Sequence, residues 1–116
     1  MNTSALFIID TDPRASGRPA EAVRIAAGIG VWKKIDVAVY LRAATIPILG
    51  EDTDDLVDGE NYARYLPILG ESGRPIYVQK DAKALSKLGQ SAIPYQEISD
   101  AELGQMAAEH SCVLRF

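Results

Sequence analysis

Apolar positions along the chain gather into five short runs, and most of the segments between them carry helical spacing. The first run, Ala5-Leu6-Phe7-Ile8-Ile9, is continuous and does not alternate with polar residues. Such runs mark strands buried on both faces, as in parallel sheets. Residues 36–41, 76–78, 93–98 and 111–116 read as four further strands, with Pro94 near the start of the fourth, where proline is tolerated. Residues 19–33 predict a helix. Pro19 suits its first turn, Val23, Ala26, Ala27 and Gly30 recur at helical spacing, and Ile25, Ile29 and Trp32 widen the apolar face. Its small residues, Gly28 and Gly30 included, predict close packing on a sheet.

Residues 61–69 predict a second helix despite Pro67, with Tyr62, Tyr65, Leu66 and Leu69 on one face and Gly70 and Gly73 bracketing its end. Pro75 opens the run Ile76-Tyr77-Val78, and residues 80–88 are rich in good helix formers, closed by Gly89. Ser99 with Glu102 three residues on is a capping box, and the helix behind it, residues 100–109, would bury Leu103, Met106 and Ala107. Strand and helix alternate. The expectation is one α/β domain over residues 1–116: a three-layer sandwich of about five mostly parallel strands with helices on both faces.

Composition narrows the function classes. The 116 residues are 47% hydrophobic and 24% charged, as in ordinary soluble domains, with a net charge of −4. Lys33-Lys34 is the only basic doublet, so the basic footprint of a nucleic-acid binder is missing. No apolar run approaches the roughly 20 residues of a membrane helix. The N-terminus lacks a basic n-region, which predicts a cytoplasmic protein. The single cysteine, Cys112, allows no internal disulfide. One cysteine and one histidine, His110, make no zinc set, and Gly28-Ile29-Gly30 lies inside a helix, not at a strand–helix turn. No metal or cofactor is expected.

In open α/β sheets ligands bind beyond the carboxyl ends of the strands. Asp10, Thr11 and Asp12 follow the first strand, Arg42 the second, and Gln79 and Lys80 the third. These six form the candidate pocket. Arg42 and Lys80 would hold an anion, helped by the positive end of a helix starting at Lys80. In its absence Asp10 and Asp12 would neutralise them. Asp10, Asp12 and Lys80 are similar to the acid cluster and lysine of a response-regulator receiver, but the third strand ends in Gln79, where a receiver needs its phosphoacceptor aspartate. Residues 10–17 read as turn chemistry, and residues 50–55 as an exposed acidic loop. His110 and Cys112 could share a face of a strand as a nucleophile pair. The plainer expectation is a buried, unreactive Cys112, since free cysteine behaves as a small hydrophobe.

Three stretches resemble the DsrE/DsrF-like proteins, which include sulfur-relay subunits. These are EAVRIAAGIGVWKKIDVAVYLR, YLPILGESGRPIYVQKDAKALSKLG and LGQMAAEHSCVLRF, and together with the first strand and loop they span nearly the whole chain. The resemblance implies the α/β fold, a pocket at the strand ends, and assembly into a homo-oligomer (trimer or hexamer) or a hetero-complex with related subunits. In active carriers of that family a cysteine follows the third strand. Here Gln79 stands there, beside Lys80, and glutamine cannot form a persulfide. The resemblance therefore implies a non-catalytic binding or scaffold subunit linked to sulfur relay. The alternative is an active sulfur carrier or small-molecule enzyme using Cys112 or the strand-end pocket. Assembly is also expected from the apolar residues of two segments, Ile46-Pro47-Ile48-Leu49 and Tyr62 to Ile68, which exceed what a small monomer readily buries.

Overall fold

Strand follows helix from the first residue described to the last. The structure, a computed structural model, describes residues 3–31, 35–71 and 76–116. The expectations for Trp32, for the Lys33-Lys34 doublet and for Gly73 and Pro75 lie outside the described residues. In chain order the elements are β1 (Thr3–Ile9), α1 (Arg18–Val31), β2 (Ile35–Leu41), a 3₁₀ helix (Ala43–Leu49) and α2 (Glu60–Glu71). Then come β3 (Ile76–Gln79), α3 (Lys83–Leu88), β4 (Tyr95–Ile98), α4 (Asp100–Glu109) and β5 (Cys112–Arg115). The five strands form one sheet in the order β4-β3-β2-β1-β5, and every strand pair in it is parallel.

That order decides the layers. From β1 to β4 the chain steps one strand at a time in one direction, and right-handed crossovers then place α1, α2 and α3 on the same face. From β4 it returns across the sheet to pair β5 with β1, so α4 falls on the opposite face. Two cores result. Ala5, Phe7, Ile9, Val39, Leu41, Ile76 and Val78 pack against α1, the 3₁₀ helix and α2. Leu6, Ile8, Ala38 and Tyr40 pack with Ile98 and with Leu103, Met106 and Ala107 of α4. Alternate residues of β1 thus enter alternate cores, which explains why its apolar run has no polar gaps.

Much of the apolar content of the two segments that argued for assembly is buried inside the chain. Ile46, Ile48, Leu49, Tyr62 and Leu66 are all buried in the larger core. The 3₁₀ helix and α2 roof one face of the sheet, while Pro47, Tyr65 and Ile68 stay half-buried and Pro67 is exposed. Gly28 and Gly30 also differ from expectation. A side chain at either would meet nothing within 4 Å, so neither marks a close approach; Ala22, Val23, Ala26 and Ala27 carry the contact.

Cys112 is exposed, not buried. β5 is an edge strand that pairs only with β1, and Cys112 is its first residue. An apolar sequence at the rim of a sheet has no second neighbour to cover it.

Candidate functional site

The carboxyl edge of the sheet is built from the loops after Ile9, Leu41, Gln79 and Ile98. Thr45 fixes the second of these loops. Its hydroxyl is fully buried and donates to the carbonyls of Ile9 at 3.1 Å and Arg42 at 2.8 Å, pinning the 3₁₀ helix across the ends of β1 and β2. Gln79 fixes the next. Its side-chain oxygen accepts the Ala43 N–H at 3.1 Å, satisfying a donor at the start of that helix.

The six strand-end residues do all lie at this edge, but in three places. The Asp10 and Thr11 amides both donate to the Phe116 carbonyl, at 3.2 and 3.3 Å, which ties the β1 loop to the end of the chain. The Asp12 carboxylate accepts from the Arg14 amide at 2.9 Å, an Asx turn. Arg42 turns toward the α4 face. Its guanidinium lies 5.6 Å from the centre of the Tyr40 ring and 3.4 Å from Asp100 at the start of α4. Lys80 is exposed, and its amide donates to the Ile98 carbonyl. Among the described residues no ion pair joins Asp10 or Asp12 to Arg42 or Lys80.

No helix begins at Lys80. Lys80 and Asp81 form a turn in which Asp81 takes a φ of 61°, a left-handed conformation that breaks helical continuity. α3 starts only at Lys83, beyond Ala82, and packs with the 3₁₀ helix against the larger core. The crevice where chain direction switches lies between β1 and β5, and there the Asp10 and Thr11 amides are tied to the Phe116 carbonyl. The ends of β3 and β4 are joined by Lys80 N–H to the Ile98 carbonyl and Asp81 N–H to the Glu97 carboxylate.

The open space lies instead on the first face. A cleft of about 520 Å³ runs between the β1 loop, the 3₁₀ helix, the loop after it, and α3. Ala43, Ala44 and Pro47 line it, with Leu56 and Leu88 adding apolar surface. Lys83 and Lys87 stand on the α3 side; Asp12, Arg14, Asp52 and Asp55 stand elsewhere around it. Of the six strand-end residues only Asp12 lines this cleft. Lys83 and Lys87 are spaced four apart, so their shared helical face was legible, but the direction of that face depends on how α3 packs.

On the α4 side, burial pushes the Tyr40 hydroxyl above its usual range, with Arg42 opposing and Asp100 adding to the shift. Among the described residues its oxygen has no hydrogen-bond partner. Glu102 accepts the Ser99 amide at 3.0 Å and Ser99 Oγ accepts the Glu102 amide at 3.1 Å, completing the expected capping box. Those bonds to Ser99 hold the Glu102 carboxyl below its usual range.

Among the described residues no hydrogen bond joins His110 to Cys112, the pair suggested by their spacing. His110 Nδ1 donates to the Met106 carbonyl at 2.6 Å, closing the end of α4. Cys112 lies at the amino end of β5, three residues or about 10 Å from the carboxyl edge. Among the described residues no group of three or more histidine, cysteine or acidic side chains is placed to hold a metal, and no helix is long and apolar enough to cross a membrane.

Neither a protein-family model nor a curated protein matches the sequence. Among solved structures, the crystal structure of the ychN protein from E. coli is similar, with a TM-score of 0.77, 20% identity, and all of both chains covered. At that identity the likeness establishes the fold, which is YchN-like and thus DsrE/DsrF-like.

Proposed function

We propose that this chain, with its DsrE/DsrF-like fold, is a non-catalytic oligomeric protein that serves as a binding or scaffold subunit linked to sulfur relay. The observation that carries the reading is Gln79. It stands where carriers of the resembling family hold their cysteine, and its amide oxygen holds the Ala43 N–H. A carrier residue must present a nucleophilic sulfur to solvent and partner. Glutamine is not nucleophilic, and this one has a structural bond that fixes the start of the 3₁₀ helix. In this reading Asp10, Thr11, Asp12, Arg42, Gln79 and Lys80 form the binding edge, with exposed Lys80 its most available cation. The assembly is a trimer, a hexamer or a hetero-complex with related subunits, and the chain is expected in the cytoplasm.

One observation favours the alternative, an active carrier. Cys112 is exposed, and a persulfide carrier needs an accessible thiol. Incubation with a small persulfide donor, followed by intact-mass measurement, separates the two. The scaffold reading expects no sulfur adduct that is passed on to an acceptor thiol. A persulfide that forms on Cys112, moves to an acceptor, and is abolished in Cys112→Ser with the fold retained would establish the carrier instead. Light scattering at micromolar concentration checks the assembly: a monomer mass without partners would remove the homo-oligomer.

A further inference from the structure

We infer that the cleft between α3 and the 3₁₀ helix is a binding site for a small organic anion with an apolar body, held at its charged end by Lys83 and Lys87. Both lysines line the cleft and sit four residues apart on α3, so they share one face of the helix. Like charges at that spacing repel, and an anion between them relieves the repulsion. Among the described residues neither lysine has a carboxylate within ion-pair distance.

Asp12 accepts the Arg14 amide at 2.9 Å, Asp52 accepts the Asp54 amide at 3.0 Å, and Asp55 lies 3.7 Å from the Arg14 guanidinium. Of the three carboxylates only Asp55 faces a cation; the amide bonds to Asp12 and Asp52 orient those groups without neutralising them. Lys83 and Lys87, both exposed, stand together on α3 while the acids belong to other segments, so the place in the cleft that favours an anion is beside α3. Ala43, Ala44, Pro47 and Leu88 offer a mostly apolar surface beside those ammonium groups, which suits a hydrocarbon or aromatic body. The volume of about 520 Å³ suits a small molecule and not a polymer.

This site is separate from the edge that carries Arg42, Gln79 and Lys80. Arg42 turns to the α4 face, and none of the three lines the cleft. The inference goes beyond the scaffold reading and survives or fails without it.

The test uses the intact protein and the anionic fluorophore 8-anilinonaphthalene-1-sulfonate as probe. The wild type should bind it saturably, and hexanoate should displace it better than inorganic phosphate or hexylamine does. In K83Q/K87Q, affinity should fall by roughly tenfold or more, the size expected for lost charge-assisted contacts. K83R/K87R should keep the affinity within about threefold, because arginine preserves the charge. Arg64→Gln, which removes an exposed cation outside the cleft, should leave it unchanged. Circular dichroism and melting curves establish that each variant folds. Unsaturable binding in the wild type, displacement by phosphate as strong as by hexanoate, or unchanged affinity in a folded K83Q/K87Q would each overturn the inference. A loss of affinity confined to Lys80→Gln would also overturn it and would favour the strand-end edge.

Discussion

Two tyrosine hydroxyls show how a side chain can fit by shape and fail by chemistry. Tyr40 and Tyr62 are fully or almost fully buried, and among the described residues neither hydroxyl has a hydrogen-bond partner. Burial, with Asp58 nearby adding to it, pushes the Tyr62 hydroxyl far above its usual range, so it stays neutral. A buried hydroxyl without a partner has given up its hydration and gained nothing in exchange. Removing the oxygen while keeping the ring should then stabilise the fold. Tyr62→Phe is expected to raise unfolding free energy by about 1 kcal/mol, the lower end of the cost of an unsatisfied buried group. Urea unfolding of the two proteins measures it. A loss of stability would show that the hydroxyl has a partner in solution. Gln79 is the opposite case. Its side chain is polar, half-buried and bonded, and the bond is to the backbone of another loop. In sequence it is only the polar residue that ends the third strand.

Among the elements, α4 is the one whose limits could be read most fully in advance. Its start at Asp100 and both bonds of its capping box follow from Ser99 and Glu102 alone, because the signal is local: two side chains and two amides within one turn; its end at Glu109 is also the one expected. The box also makes this helix sensitive to acid. The folded carboxyl of Glu102 titrates below its ordinary value of 4.5, so its contribution is present above that value. It disappears as the pH falls through the lowered folded value. The variant Glu102→Gln keeps an acceptor oxygen for the Ser99 amide but carries no charge. Its melting temperature should therefore fall less steeply than that of the wild type as the pH is lowered from neutrality through the carboxylate range. Parallel curves would mean that the bond seen at Glu102 does not persist in solution. α3 behaves differently. Its composition is helical from Lys80 on, but the left-handed turn at Asp81 delays the helix to Lys83, and six residues remain. Propensity ranks residues within a helix and says little about where a turn intervenes.

For the molecule as a whole, the uneven covering of the sheet matters most. Among the described residues one face carries three α-helices and the 3₁₀ helix, while the other carries α4 alone. Both outer strands, β4 and β5, are short and have one neighbour each. Short edge strands limit unwanted pairing. Val113 and Tyr95 remain 39% and 36% exposed on those strands, which is ordinary for scattered apolar groups and does not by itself mark an interface. Cys112 reports directly on the β5 edge. In the native protein it should react fully with a maleimide reagent without denaturant, at a rate approaching that of the unfolded chain. Strong protection in the native state, released on dilution, would place another copy of the chain over β5. Protection that dilution leaves unchanged would contradict the exposed placement.

The sequence alone determined the alternation of strand and helix, the parallel character of the sheet, and the ends of α4. These rest on local periodicity and on capping, which act between residues a few positions apart. The edge that holds Asp10, Arg42, Gln79 and Lys80 was also legible, because a parallel strand delivers its following loop to the same side of the sheet each time. Only the tertiary structure decided which face each loop turns to. Arg42 went to Asp100 on α4 and away from Asp12, since the return of β5 to the far edge places α4 alone on that side. The cleft beside Lys83 and Lys87 likewise exists only because α3 settles against the 3₁₀ helix. The exposure of Cys112 has the same origin: Val113 and Leu114, which follow it, are apolar, but its strand was left with a neighbour on one side only. Burial is a property of what lies across space, and no pattern within a single strand records it.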